Sequence, residues 1–197
     1  MIQFGINPIG WSNDDFHELG GDISLDQCLS EAQKAGYAGV EVGHKMPRDP
    51  FRLKPLLKSH SLRLVSGWHS SHVLERKPSD EEKALRQHLA FLKTMGCKVT
   101  IVAECSRRTY HDPHKKMFHR AGLSALPEKD WDRLANGLEA LAAICENEGL
   151  PMAYHPHMGT LIQDELQLSA LMSRTENVAS HSTAVTLHTP GQTPPWN

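Results

Sequence analysis

Leu150-Pro151-Met152-Ala153-Tyr154-His155-Pro156-His157-Met158-Gly159-Thr160 is the stretch on which the reading of the fold turns. The apolar run from Leu150 to Ala153 reads as a short strand, and a helical pattern follows it. Side chains two apart on a strand share a face, so His155 and His157 point the same way with Pro156 turned aside. In a parallel α/β barrel the C-terminal tips of the strands carry the chemistry. Two imidazoles there open a metal or proton-transfer site. An isolated His-x-His is more often two polar residues at a solvated strand end, so the rest of the chain has to decide.

Upstream, strand and helix patterns alternate. Phe4 to Ile9 reads as a strand. Ser24-x-x-Gln27 is a capping box for a helix with Leu25, Cys28, Leu29 and Ala32 on one face, stopped by Gly36. Gly39 to Gly43 is a second strand, and Asp49-Pro50 opens a helix that runs to His60. Leu62 to Gly67 is the third strand. Ser79-x-x-Glu82 caps a helix striped by Leu85, His88, Leu89 and Leu92 that ends at Gly96. Lys98 to Ala103 is the fourth strand, and Trp131, Leu134, Leu138, Leu141 and Cys145 stripe a helix stopped by Gly149. A last helix carries Leu168, Leu171 and Met172.

Five consecutive βα units imply a parallel sheet, either doubly wound and open or closed as a (β/α)8 TIM barrel. No Gly-x-Gly-x-x-Gly follows the first strand, which argues against a dinucleotide-binding sheet. Polar groups at nearly every strand end favour the barrel. A barrel typically needs ~250 residues, and this chain has 197. The expectation is an incomplete barrel of about five βα units.

The composition is ordinary: 21 Lys and Arg against 23 Asp and Glu, with a formal charge of −2. Such a balance offers no basic field for nucleic acid. No apolar run approaches the ~20 residues of a membrane span, and no signal peptide precedes Phe4. The four cysteines show no Cys-x-x-Cys spacing, and Cys28 and Cys145, on apolar helix stripes, read as reduced core residues, so a cytoplasmic location is expected.

Residues 179 to 197 contain no Asp, Glu, Lys or Arg. At the chain's 22% charged content, that run arises by chance about once in a hundred. Read one base earlier, codons for Ala179 to Gly191 can encode Gly-Leu-Pro-Leu-Asp-Ser-Gly-His-Ala-Pro-Tyr-Ala-Gly, the close of a sixth strand in Asp-x-Gly-His. The expectation is a barrel domain over residues 1–178 and a non-native, irregular tail over 179–197, produced by a frameshift after Val178. A disordered Ser/Thr/Pro tail is the plainer alternative.

Strand alternation with Val40 and Val42 outward turns Glu41 into the barrel. The same parity places Asn7, His69 and Glu104 inward beside His155 and His157. Carboxylates, imidazoles and an amide at strand ends suit a divalent cation with a polyhydroxylated ligand. Singly they have plainer readings: Glu41 paired with Lys45, His69 bonded to a neighbouring loop. Between Cys105 and Leu126 a long loop carries Arg107, Arg108, Lys115, Lys116 and Arg120 against Asp112 alone, and reads as a lid or a solvated basic loop.

Several stretches together resemble one family. Asn7-Pro8-Ile9-Gly10-Trp11-Ser12-Asn13-Asp14-Asp15 with Glu18-Leu19-Gly20-Gly21, and Glu41-Val42-Gly43-His44-Lys45-Met46-Pro47-Arg48-Asp49, are similar to the inosose dehydratases. Ser66-Gly67-Trp68-His69, Ala103-Glu104-Cys105-Ser106 and the run from His155 to Thr160 fit as well. These enzymes dehydrate 2-keto-myo-inositol to a cyclic diketone in inositol catabolism and are xylose-isomerase-like TIM barrels. The resemblance implies a Mn²⁺ or Co²⁺ cofactor and a small polyol or cyclic ketone substrate. It further implies His155 as a metal ligand, Glu104, His69 and Lys45 as catalytic groups, and Asn7, Glu41 and His157 as substrate contacts, roles that can be permuted among them. A sugar isomerase or epimerase of the same superfamily, and a non-catalytic product dimerising through an open sheet edge, are the alternatives. Impaired turnover is expected, because the Asp of the sixth strand and later ligands are missing in frame.

Overall fold

The computed structural model describes residues 3–108 and 126–180. Five strands form one sheet in the order β1-β2-β3-β4-β5, every pair parallel. They are β1 (Gly5–Ile6), β2 (Gly39–Val42), β3 (Arg63–Ser71), β4 (Thr100–Glu104) and β5 (Met152–Tyr154). The helices are α1 (Leu25–Lys34), α2 (Pro50–Ser59), α3 (Pro78–Met95), α4 (Glu128–Asn147), α5 (Glu165–Met172) and the short α6 (Asn177–Ser180). This is the expected incomplete (β/α)8 barrel of five units. Sequential parallel order follows from the right-handed crossover each helix makes between neighbouring strands.

The helix boundaries follow local chemistry. Ser24 accepts a hydrogen bond from Gln27 N at the start of α1, and Asp49 accepts from Phe51 N ahead of Pro50 at the start of α2. At α5, Asp164 and Gln167 complete a reciprocal capping box. At the end of α3, Gly96 sits at φ +83°, which costs a glycine little. The start of α3 corrects one expectation. Pro78 takes the first helical position behind Lys77, so Ser79 lies inside the helix and caps nothing.

The first strand is also shorter than expected. Asn7 Oδ1 accepts from Ile9 N and starts a 3₁₀ turn over Pro8–Gly10, so β1 ends at Ile6. Pro8 has no N–H to continue a ladder. At the other end, β3 runs to Ser71, four residues beyond the expected Gly67.

One packed layer lies between sheet and helices. Leu29, Leu53, Leu57, Leu85, Leu89, Leu92, Leu134 and Leu138 meet Val40, Leu64, Val102, Met152 and Tyr154, all nearly inaccessible. Burying each such side chain is worth about 1.5–3 kcal/mol, which makes this layer the main favourable term of the fold. The four cysteines are buried and unpaired. Among the described residues, no helix is long and apolar enough to cross a membrane.

A β-bulge shapes everything above it. Val40 pairs with Leu64, but Glu41 pairs with Ser66, so Val65 is an extra residue in β3. Its side chain fills the space over Gly39, where a Cβ would lie 2.5 Å from Val65 Cγ1. One inserted residue exchanges the two faces of the strand beyond it. From here on, Ser66, Trp68 and Ser70 belong to the barrel interior, and Gly67 and His69 to the helix side.

The expected basic lid falls largely on residues 109–125, outside the described residues. So does most of the expected irregular tail, residues 181–197; α6 extends to Ser180.

Candidate functional site

The C-terminal strand ends enclose a cavity of about 670 Å³, lined among others by Asn7, Asp14, Glu41, His44, Trp68, Ser70, His155 and His157. Each wall is set by backbone geometry. Asn7 stands where β1 breaks into its turn, and its Nδ2 donates to Glu41 Oε1 at 2.9 Å. Opposite the bulge, Ser66 Oγ donates to Glu41 Oε2 at 2.9 Å. Burial raises the Glu41 pKa, and the Ser66 and Asn7 donors only partly offset it. Burial thus favours the protonated form, the form in which a carboxyl can donate to a ligand oxygen.

The facing wall comes from β5. His155 N donates to Val102 O at 2.8 Å, which carries the ladder one residue past β5 and aims the imidazole inward. Burial, with His157 adding a smaller effect, pushes the His155 pKa down to about 4. His155 is therefore a neutral imidazole at physiological pH, able to accept a proton or a ligand hydrogen bond. His157 is anchored by its Nδ1 to Met158 O at 2.8 Å, and its ring centroid is 6.0 Å from that of His155.

His69 and Glu104 are not brought to this cavity. Their expected inward placement is corrected by strand parity. Beyond the Val65 bulge, His69 turns to α3, where its Nε2 bonds Glu81 Oε1 at 3.1 Å. Arg76 bonds the other Glu81 oxygen at 3.2 Å. In β4, Ile101 lines the cavity, while Val102 lies in the core against the helices. Glu104 shares the Val102 face. Its carboxylate accepts from Ser71 Oγ (2.8 Å), Val73 N (3.2 Å) and Ser106 N (2.9 Å), and it is wholly buried. Burial raises its pKa against those donors.

Lys45 is likewise engaged elsewhere. Its Nζ donates to Gly20 O at 2.8 Å, Gly21 O at 3.2 Å and Ile23 O, so its three N–H groups pin the loop before α1. The plainer pairing of Lys45 with Glu41 is not formed either, because the Glu41 oxygens go to Asn7 and Ser66.

Other residues at the cavity were not singled out from sequence. Asp14 Oδ1 accepts from both His44 N (3.0 Å) and His44 Nδ1 (2.7 Å), which clamps the loop after β1 to the tip of β2. His17 stacks on His44 with centroids 4.2 Å apart. Trp68, whose indole N–H bonds Ser70 Oγ at 2.9 Å, stands between the Glu41 wall and the histidines. Its signal was present, since it is the immediate neighbour of His69 and takes the inward place once the bulge is counted.

A divalent metal does not fit the described residues by themselves. No group of three or more His, Cys, Asp or Glu side chains among them is placed to hold a metal ion. His155 and His157 offer two imidazoles, and both oxygens of Glu41 already accept protein hydrogen bonds. Oriented metal binding takes three or four converging ligands.

The chain is 37% identical over 175 residues to the inosose dehydratase of Geobacillus thermodenitrificans, covering 89% of this chain and 58% of that protein. It is also 37% identical over 174 residues to the rhizopine catabolism protein MocC of Rhizobium meliloti, covering 88% and 53%. Among solved structures it resembles the probable 3-DHS dehydratase AsbF of Bacillus anthracis, with a TM-score of 0.62 at 11% identity over 92% of this chain and 61% of that one. That likeness speaks for the fold. The chain thus spans little more than half the length of the curated relatives it matches. The model of the xylose isomerase-like TIM barrel family matches residues 29–186, and the chain belongs to that family.

Proposed function

We propose that this chain forms the first five βα units of an inosose dehydratase, a carbon–oxygen lyase acting on 2-keto-myo-inositol, and that the 197 residues alone bind the ketone but turn it over poorly. The observation that carries this reading is the cavity at the C-terminal strand ends. There, a buried carboxyl with a raised pKa faces a neutral imidazole across a lining of hydroxyl-matching groups.

Removing water from a cyclic polyhydroxy ketone needs two proton transfers. The C–H next to the ketone loses its proton to a base, the electron pair forms the C=C bond, and the C–OH bond at the next carbon breaks. Neutral His155 is suited to take that proton. Protonated Glu41 is suited to deliver one to the departing hydroxyl, which leaves as water. Asn7, Ser70 and His157 would fix the remaining hydroxyls. His69, Glu104 and Lys45 support the scaffold in this account. A Mn²⁺ or Co²⁺ ion would supply Lewis-acid stabilisation of the enolate, and its remaining ligands would have to come from outside the described residues.

The test is calorimetric titration of the 197-residue chain with 2-keto-myo-inositol, followed by a dehydration assay with Mn²⁺ or Co²⁺. Saturable binding with little or no turnover is expected. Failure to bind would refute the site. Turnover comparable to a full-length inosose dehydratase would refute the impairment.

A further inference from the structure

The interior face of β3 reads Ser66, Trp68, Ser70, small on either side of the largest side chain available. β4 lies between β3 and β5, so Trp68 and His155 start from strands roughly 10 Å apart. Yet the indole centroid is 5.1 Å from the His155 ring and 5.3 Å from the His157 ring, at interplanar angles of 67° and 77°. The indole must therefore reach across β4. It does so diagonally, leaning from the level of Ile101, its register partner on β4, toward the strand tip over the small Ala103, which pairs with Ser70 and against which Trp68 packs together with Cys105. The near end of the ring system is fixed by its N–H bond to Ser70 Oγ at 2.9 Å.

We infer that Trp68 is a positioning residue that spans β4 over Ala103 and holds the imidazoles of His155 and His157 in their cavity-facing orientation. Edge-to-face contact with one rigid indole sets the spacing and tilt of the two rings, whose χ2 torsions are intrinsically broad. His157 also has its bond to Met158 O, whereas His155 owes its ring orientation to this contact. Partly buried between the Glu41 carboxyl and the histidines, the indole also supplies the apolar surface on which the C–H face of a saturated, hydroxyl-rimmed ring would rest. This last effect rests on the cyclitol-ketone reading of the cavity; the hold on the imidazoles does not.

The experiment uses the 197-residue chain with ¹³C,¹⁵N-labelled histidine, without ligand and at one pH. The carbon-bound ring protons of His155 and His157 are assigned by single His→Gln variants. In wild type these signals carry the displacement that an adjacent indole imposes. W68L should move them toward the values of solvent-exposed histidines, W68F should retain part of the displacement, and A103L should reproduce the W68L shift with Trp68 still present. S70A, which keeps the packing, should speed exchange of the Trp68 indole N–H with water and keep the inference open to refutation if larger variants fail to fold. Unchanged imidazole signals in folded W68L, or indole exchange in S70A equal to wild type, would overturn it. Titration with 2-keto-myo-inositol should then show W68L binding about tenfold more weakly than wild type and W68F nearly as well. Wild-type chain that fails to bind would refute the cyclitol reading, and the imidazole shifts would still decide the role of Trp68.

Discussion

The two faces of one sheet hold similar side chains in opposite circumstances. On the barrel side, Glu41 and His155 line an open cavity. On the helix side, His69 and Glu104 are enclosed and held by protein: His69 Nε2 by Glu81, Glu104 by Ser71, Val73 and Ser106. Chemistry alone does not separate the two pairs, since each is a carboxyl and an imidazole near strand ends. What separates them is access: both carboxyls accept protein hydrogen bonds, but Glu41 borders the cavity and Glu104 is wholly enclosed. A buried carboxyl with three donors acts as a clamp between β3 and β4, while one that borders a cavity is within reach of a ligand.

The largest expected effect tests the clamp. Glu104→Ala strands the Val73 and Ser106 N–H groups at a fully buried site, while the Ser71 hydroxyl keeps Ala103 O, and should cost about 4 kcal/mol in urea unfolding. A loss below about 1 kcal/mol would mean that Glu104 is not structural and would return it to the ligand groups.

A smaller effect depends on pH. Burial depresses His88 and His155 from 6.5 to about 4 in the folded chain. Between those values the unfolded chain binds more protons, so both histidines make stability fall as pH drops through the window from 6.5 to about 4. Glu41 and Glu104, raised by burial, work in the opposite direction, holding protons in the folded state that the unfolded state has released. Comparison with a His88→Gln, His155→Gln chain cancels the carboxyl contribution. Wild type should lose about 2 kcal/mol per histidine, about 4 kcal/mol for the two, relative to it between about pH 7 and pH 5. Parallel pH profiles would contradict the burial of these imidazoles.

The smallest effect concerns Lys45. Lys45→Ala should cost about 1 kcal/mol and raise hydrogen exchange in residues 20–23, because the ammonium acts on carbonyls of that loop. Loss of ketone binding with the loop unchanged would make Lys45 a ligand group.

Much of this architecture was legible in the residues. Ser24, Asp49-Pro50, Gly96 and Gly149 mark helix ends by local chemistry that tertiary packing does not override. The cavity positions of Glu41, Asn7, His155 and His157 follow from strand alternation. Alternation failed at two places for two reasons. In β3 the Val65 bulge inverts parity, and a β-branched residue in a strand gives no sign that it is the inserted one. In β4, Thr100 to Ala103 is compatible with either face, because strands buried on both sides lose the polar–apolar alternation that fixes register. The Asp14–His44 clamp joins residues thirty positions apart and needs the fold before it can be seen.

The central claim is that ligand contact belongs to the Glu41 face and fold support to the Glu104 face. It is tested most directly by measuring 2-keto-myo-inositol affinity and urea stability side by side for Glu41→Gln and Glu104→Gln in the same 197-residue chain. Glu41→Gln should weaken binding about tenfold while changing stability by less than about 1 kcal/mol. Glu104→Gln should lower stability by about 2 kcal/mol while the folded fraction binds the ketone as wild type does. The reverse pattern, with binding lost in a stable Glu104→Gln chain and kept in Glu41→Gln, would contradict the division of the two faces.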